Sequence, residues 1–327
     1  MIKRILITTS SFGAGSPSAT GLLEKAGLVV EGNPHKRTLT EKEVLDLLIQ
    51  HRPAGMIAGL EPLTASVLEQ SASFLRVISR CGVGLDNVDL EAAKARNIAV
   101  CSTPDGPSSA VAELTLGLML GLLRNITVSD RAVRAGEWKK PLGYLIEELT
   151  IGVIGLGRIG KRVAHLCRSF GGKVLGSDIA PNLDWAAQNQ VALVKREDLL
   201  ASADVVTLHL PYATGELHHF IDAEHLRKMK RGAYLINTSR GGLIDEAALG
   251  EALKRGHLAG AAIDTFEREP YDGPLRAAGS VILTPHVGSY ARAARIRMEQ
   301  EAAVNVIVAL RKARVLDGAS SEMERTS

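Results

Sequence analysis

The 327-residue sequence predicts an α/β fold made of two parallel-sheet domains, one inserted into the other. Short β-branched runs alternate with segments of helical periodicity along most of the chain, which is the pattern of strands joined by crossover helices. The alternation comes in two blocks, separated by the turn-rich residues 102–109 and a long apolar segment. A chain of this length can bury two separate cores.

The first block opens with the strand Ile5-Leu6-Ile7. Thr40-Glu41-Lys42-Glu43 is a capping-box pattern, in which each side chain satisfies the other residue's backbone N–H, so a helix is expected to start there. Strands follow at 55–58 and 76–79, the block closes near 98–101, and 110–124 reads as a buried helix. The second block begins at Thr150 and carries strands at 150–154, 173–177, 205–208, 234–237, 260–263 and 281–283. A last helix, 291–310, is expected to return to the first block. The expected domains are therefore 1–106 with 289–317, an inserted domain at 107–288, and a polar, frayed tail at 318–327. Gly13-Ala14-Gly15 completes no fingerprint and reads as loop.

The most informative motif is Gly155-Leu156-Gly157-Arg158-Ile159-Gly160, with Asp178 eighteen positions after the last glycine. A buried-strand run, TIGVI, leads into the glycines and a helical pattern, KRVAHLCRSF, leaves them. Glycines there let the backbone approach a pyrophosphate, and the free N–H groups at the helix start face its charge. A carboxylate ending the next strand is placed to accept hydrogen bonds from a ribose diol and to repel a 2′-phosphate. NAD is thus expected rather than NADP.

Composition narrows the function. The 39 basic and 36 acidic residues give a net charge of +3, too balanced for a nucleic-acid surface. Cys81, Cys101 and Cys167 lack metal or redox spacing and read as reduced packing residues of a cytoplasmic protein. The N-terminus lacks the pattern of a signal peptide. The longest apolar run, 114–123, is too short to span a bilayer, so no membrane is expected.

Chemistry is expected just past the carboxyl ends of second-block strands, where open parallel sheets bind ligands. Arg240 follows Asn237-Thr238-Ser239 and precedes two glycines; its planar fork suits a carboxylate, although a surface arginine at a strand end is the plainer reading. Glu269 and His286 together would make an acid/base, the carboxylate holding one tautomer and raising the imidazole pKa. Asp264 ends a strand and either faces a nicotinamide or caps the following turn. His209 either lines a cofactor cleft or is a packed strand-end histidine. His218, His219, His225 and His257 show no metal spacing and read as solvated.

These motifs resemble the D-isomer-specific 2-hydroxyacid dehydrogenase family, most closely its short phosphoglycerate dehydrogenase-like branch. The resemblance spans 76–310. It rests on the segment 80–89 (RCGVGLDNVD), Ala112-Glu113-Leu114-Thr115, GLGRIG with Asp178, His209-Leu210-Pro211, the segment 240–246 (RGGLIDE), Asp264 with Glu269-Pro270, and Pro285-His286-Val287-Gly288. It implies two Rossmann-like or flavodoxin-like domains, with Arg240 on the substrate carboxylate, His286 as acid/base and Glu269 as its partner. It also implies substrate contacts at Arg80 and at the amides of Val83 and Gly84. Cofactor contacts are implied at Gly155, Gly157, Arg158, Ile159, Gly160, Asp178, His209, Pro211, Thr238, Ser239, Arg240, Asp264, His286 and Gly288. The family commonly forms dimers, and the segment around Trp138 matches the part that crosses to the partner.

Departures from the pattern are informative. Pro107 and Ala110 stand where phosphoglycerate enzymes often carry Asn and Ser, which leaves the phosphate site open, and Glu148-Leu149-Thr150 replaces a Gly-Lys-Thr turn. No regulatory domain is expected after residue 310. The expected activity is NAD-dependent interconversion of a D-2-hydroxy acid and its 2-keto acid, with a 3-phosphoglycerate-like substrate first and glyoxylate or hydroxypyruvate reduction second. An NAD(H)-sensing interaction protein on the same fold is the alternative of another class.

Overall fold

A computed structural model describes residues 3–211 and 217–316; the expected polar tail lies outside them. The chain divides into two compact units, one joining the segment through Pro107 to the segment from Ser289 onward, the other being Ser108–Gly288.

In the first unit five strands lie in the order β2-β1-β3-β4-β5: β1 Arg4–Ile7, β2 Val29–Gly32, β3 Gly55–Ala58, β4 Val77–Arg80 and β5 Ala99–Cys101. Every pairing is parallel. The helix Glu41–His51 starts at Thr40 with the expected capping box, the Thr40 hydroxyl accepting from the Glu43 amide and the Glu43 carboxylate from the Thr40 amide at 2.8 Å. The final helix, Arg292–Lys312, packs on β3, β4, β5 and the helix Ser18–Lys25, as its apolar spacing predicts. Its buried stripe of Ala294, Met298, Ala302, Val306 and Leu310 contains a charge pair that the apolar pattern does not reveal. Arg295 and Glu299 lie 3.4 Å apart; Arg295 donates to the Ser11 hydroxyl and Glu299 accepts from the Gly13 amide, tying down the loop after β1.

The second unit has seven parallel strands in the order β12-β11-β10-β9-β6-β7-β8. They are β6 Thr150–Ile154, β7 Lys173–Ser177, β8 Val191–Leu193, β9 Val205–Leu208, β10 Tyr234–Asn237, β11 Gly260–Ile263 and β12 Val281–Leu283. Strands β9 and β11 are buried along their whole length, which explains why the central strands read as continuous apolar runs. The helix Ser108–Leu123 is apolar around most of its circumference because it is core, packed on β10, β11 and the helix Arg158–Ser169. Among the described residues no single helix is long and apolar enough to cross a membrane; Ser108–Leu123 and Ile126–Arg134 pass such a test only as a pair, bent by 59°.

Candidate active site

All the elements described first belong to the unit Ser108–Gly288. The glycine turn connects β6 to the helix Arg158–Ser169, whose N-cap is Gly157 with no capping side chain. Gly155 has φ +90° and packs against the His209 carbonyl, while a side chain at Gly160 would overlap the Gly155 carbonyl. Nothing lies within 4 Å of where a Cβ would stand on Gly157. The outer glycines thus serve close packing, and the middle one leaves open approach to the first helical turn, Arg158 and Ile159 included. This fits a dinucleotide pyrophosphate.

Asp178 ends β7 as expected, and its carboxylate also has structural work. One oxygen accepts from the Leu156 amide at 2.6 Å, inside the glycine turn, and the other from the Ala180 amide at 2.8 Å. The acid therefore shapes the turn it was expected to serve through the ribose alone.

His209 meets both of its readings. It is half-buried, its Nε2 lies 3.0 Å from the Thr207 hydroxyl, and burial pushes its pKa down to about 3, so it is neutral. Its buried Nδ1 has no hydrogen-bond partner among the described residues. Pro211 is exposed directly beyond it. Thr238 is buried, its hydroxyl 2.9 Å from that of Thr115, and Ser239 donates to the Leu208 carbonyl.

Arg240 donates from Nη1 to the Ser239 carbonyl, and its own carbonyl accepts from the Asn237 side chain. Gly241 then touches the Phe266–Glu267 backbone so closely that a side chain would overlap it. That contact brings the arginine turn to the loop carrying Glu269. The Glu269 carboxylate accepts from the Phe266 amide at 3.2 Å and lies 2.9 and 3.0 Å from His286 Nδ1. Burial pushes its pKa up, but the hydrogen bond and charge of His286, the Phe266 amide and the charge of Arg240 outweigh this and hold it below its ordinary value. The pair is about one-third exposed, at 31% and 33%, where the sequence suggested a buried glutamate.

Asp264 requires a correction of emphasis. The nicotinamide-facing reading is the sequence expectation, but the structure realises the capping alternative. Asp264 is fully buried; its carboxylate accepts from the Thr284 hydroxyl at 2.6 Å and from the Val287 and Gly288 amides, each at 2.9 Å. Its carbonyl accepts from the His286 amide, and His286 adopts φ +54° within this turn. Asp264 thus holds the backbone that presents His286.

The histidines expected to be merely solvated are only partly so. His219 Nε2 lies 2.6 Å from Glu267, His218 stacks on His219 at 4.0 Å, and the ligand atoms of all three lie within 4.8 Å of one another. Sequence spacing hides this group because Glu267 arrives from a distant loop.

In the other unit, Arg80 ends β4 and folds back over Gly82 to the Cys81 carbonyl. Val83 is exposed at 44% and Gly84 is half-buried in the turn that follows. Glu61, which no motif signalled, is fully buried beside Thr8.

Fold and site define a dinucleotide-binding α/β protein with an acid/base pair. Residues 116–288 match the NAD-binding domain of the D-isomer specific 2-hydroxyacid dehydrogenases. The chain is 40% identical over 255 residues to a glyoxylate reductase of Korarchaeum cryptofilum, covering 76% of each. It is 38% identical over 296 residues to a D-3-phosphoglycerate dehydrogenase of Archaeoglobus fulgidus, covering 89% of this chain and 55% of that one. The chain spans about half the length of the phosphoglycerate dehydrogenases it matches. A D-lactate dehydrogenase of Aquifex aeolicus, solved with NAD and lactic acid, superposes with a TM-score of 0.82 at 29% identity, covering 95% of this chain and 96% of that one. The chain belongs to the D-isomer specific 2-hydroxyacid dehydrogenase family.

Proposed function

We propose that this chain is an NAD-dependent oxidoreductase interconverting a D-2-hydroxy acid and its 2-keto acid, with Ser108–Gly288 as the cofactor domain. The observation that carries this reading is the Glu269–His286 pair beside Arg240, in the same sheet that bears the glycine turn. Bound NAD would accept, and NADH would supply, the hydride. Gly155, Gly157, Gly160 and Asp178 would hold it, with Thr238, Ser239 and Gly288 alongside.

Arg240 binds the substrate carboxylate and polarises the carbonyl. Glu269 accepts from His286 Nδ1, which fixes the tautomer and leaves Nε2 to give a proton in reduction and take one in oxidation. A dinucleotide sensor needs the glycine turn but not this relay, so the intact pair favours an enzyme. A cytoplasmic setting fits the three cysteines, none of which is in a disulfide.

We also read the protein as a homodimer. The helix Ile126–Arg134 buries no residue within the chain, and Trp138 and Leu142 beyond it are 81% and 96% exposed. Such an apolar surface is what a second copy would cover.

A panel of 2-keto acids offered with NADH and with NADPH, followed by loss of the reduced-nicotinamide absorbance, tests the activity. Turnover with NADH is expected. Consumption of neither cofactor with any acid would leave the sensor reading standing instead.

A further inference from the structure

Open parallel sheets bind ligands beyond the carboxyl ends of their strands, at the point where strand order reverses. In the order β2-β1-β3-β4-β5 that point lies between β1 and β3. Thr8 and Thr9 follow β1, and Gly59, Leu60 and Glu61 follow β3. Thr8 and Glu61 meet across the gap: the threonine hydroxyl bonds to Glu61 Oε1, and the Gly59 amide donates to the same oxygen at 3.0 Å.

Glu61 is completely buried, yet its second oxygen, Oε2, has no hydrogen-bond partner among the described residues. The hydroxyls of Thr9, Ser79 and Thr103 are in the same condition, at the carboxyl ends of β1, β4 and β5. Buried polar atoms are nearly always partnered, because an unmet one costs about 1–3 kcal/mol. Four of them at one end of one sheet mark positions where a ligand supplies the missing bonds.

The chemistry of the ligand follows from the carboxyl group. Burial raises the Glu61 pKa, against the Thr8 and Gly59 hydrogen bonds and the charge of Arg80. Ionised, Glu61 would cancel the arginine's charge and repel an anion. Protonated, it offers a single hydroxyl. Neither form makes a cradle for a dianionic phosphate, which is held by clustered N–H groups and cations.

We infer that this switch point selects the substituent of the substrate and that Glu61 excludes a phosphate from it. The substrate is then an unphosphorylated 2-keto or 2-hydroxy acid whose substituent is small or carries a hydroxyl. The inference rests on the oxidoreductase reading above. Within that reading it puts glyoxylate and hydroxypyruvate ahead of a phosphoglycerate-like acid.

The test compares kcat/KM for hydroxypyruvate and 3-phosphohydroxypyruvate with NADH, in the wild type and in Glu61→Gln and Glu61→Ala. The wild type is expected to favour hydroxypyruvate by at least about tenfold, and the variants to narrow that ratio by about tenfold, with NADH affinity retained. A wild-type preference for the phosphorylated acid overturns the inference, and this result needs no variant to fold. An unchanged ratio in both variants, with thermal unfolding intact, overturns it as well. Absence of turnover with every 2-keto acid would overturn the oxidoreductase reading and this inference together, and so is distinguishable from a wrong preference.

Discussion

Replacing Asp264 with Asn separates two roles for one residue. The carboxylate accepts three hydrogen bonds in the turn that presents His286, two on Oδ1 and one on Oδ2. Asparagine keeps a single acceptor. If its oxygen takes the Oδ1 position, its amide faces the Gly288 N–H, donor against donor, in a fully buried place. Stranding one buried donor costs about 1–3 kcal/mol. For a domain of this size that lowers Tm by about 3–9 °C. His286 then loses its fixed presentation, and small misplacements of a reacting group cost up to about a hundredfold in rate. Differential scanning fluorimetry, NADH titration and steady-state kinetics on Asp264→Asn should therefore show a lower Tm, kcat reduced about ten- to a hundredfold, and NADH affinity little changed. A variant with unchanged Tm but weakened NADH binding would refute the positioning role and restore the nicotinamide contact.

Further outcomes follow from the same geometry. Arg240→Lys should raise KM for the keto acid and lower kcat, because an ammonium cannot reproduce a bidentate fork; normal kinetics would remove Arg240 from the carboxylate. Asp178→Ala should narrow the preference for NADH over NADPH and also weaken NADH binding, since the Leu156 amide loses its acceptor. A wild type that prefers NADPH would contradict the assignment. Glu269 has a lowered pKa, so it stabilises the fold above the ordinary carboxylate pKa, and that stability is lost as pH falls through its own lower value. The Tm difference between wild type and Glu269→Gln should thus be full near neutrality and shrink on acidification; a constant difference would mean the pairing does not stabilise the carboxylate. Trp138→Asp with Leu142→Asp should halve the mass seen by light scattering, and a wild type that is already monomeric would end the dimer reading.

The parts of the fold legible in the sequence are those fixed by local chemistry. The runs at β6, β9, β10 and β11 are apolar throughout because both faces are covered, and the Thr40–Glu43 box marks a helix start by hydrogen bonds within one turn. Edge strands β2 and β8 went unseen: Val29–Gly32 has no buried residue and Val191–Leu193 only one, so neither produces a continuous apolar run. The final helix was visible, but its buried Arg295 and Glu299 were not, because a charge pair in an apolar stripe can be recognised only with its partners in view. In the site, Glu269 and His286 were legible from their places after strands. Asp264 was misweighted because its partners Thr284, Val287 and Gly288 reach it only through the fold. Glu61 carried no signal, since nothing in Gly59-Leu60-Glu61-Pro62 announces that the acid turns inward to Thr8.

The central claim is that His286 moves the proton in an NADH-dependent reduction of a 2-keto acid. Its most direct test is the turnover of wild type and His286→Ala with hydroxypyruvate or glyoxylate, set beside the NADH dissociation constant of each. The account predicts measurable wild-type turnover, a loss of about a hundred- to ten-thousand-fold in the variant, and nearly equal NADH affinity. Near-normal turnover in His286→Ala would contradict it.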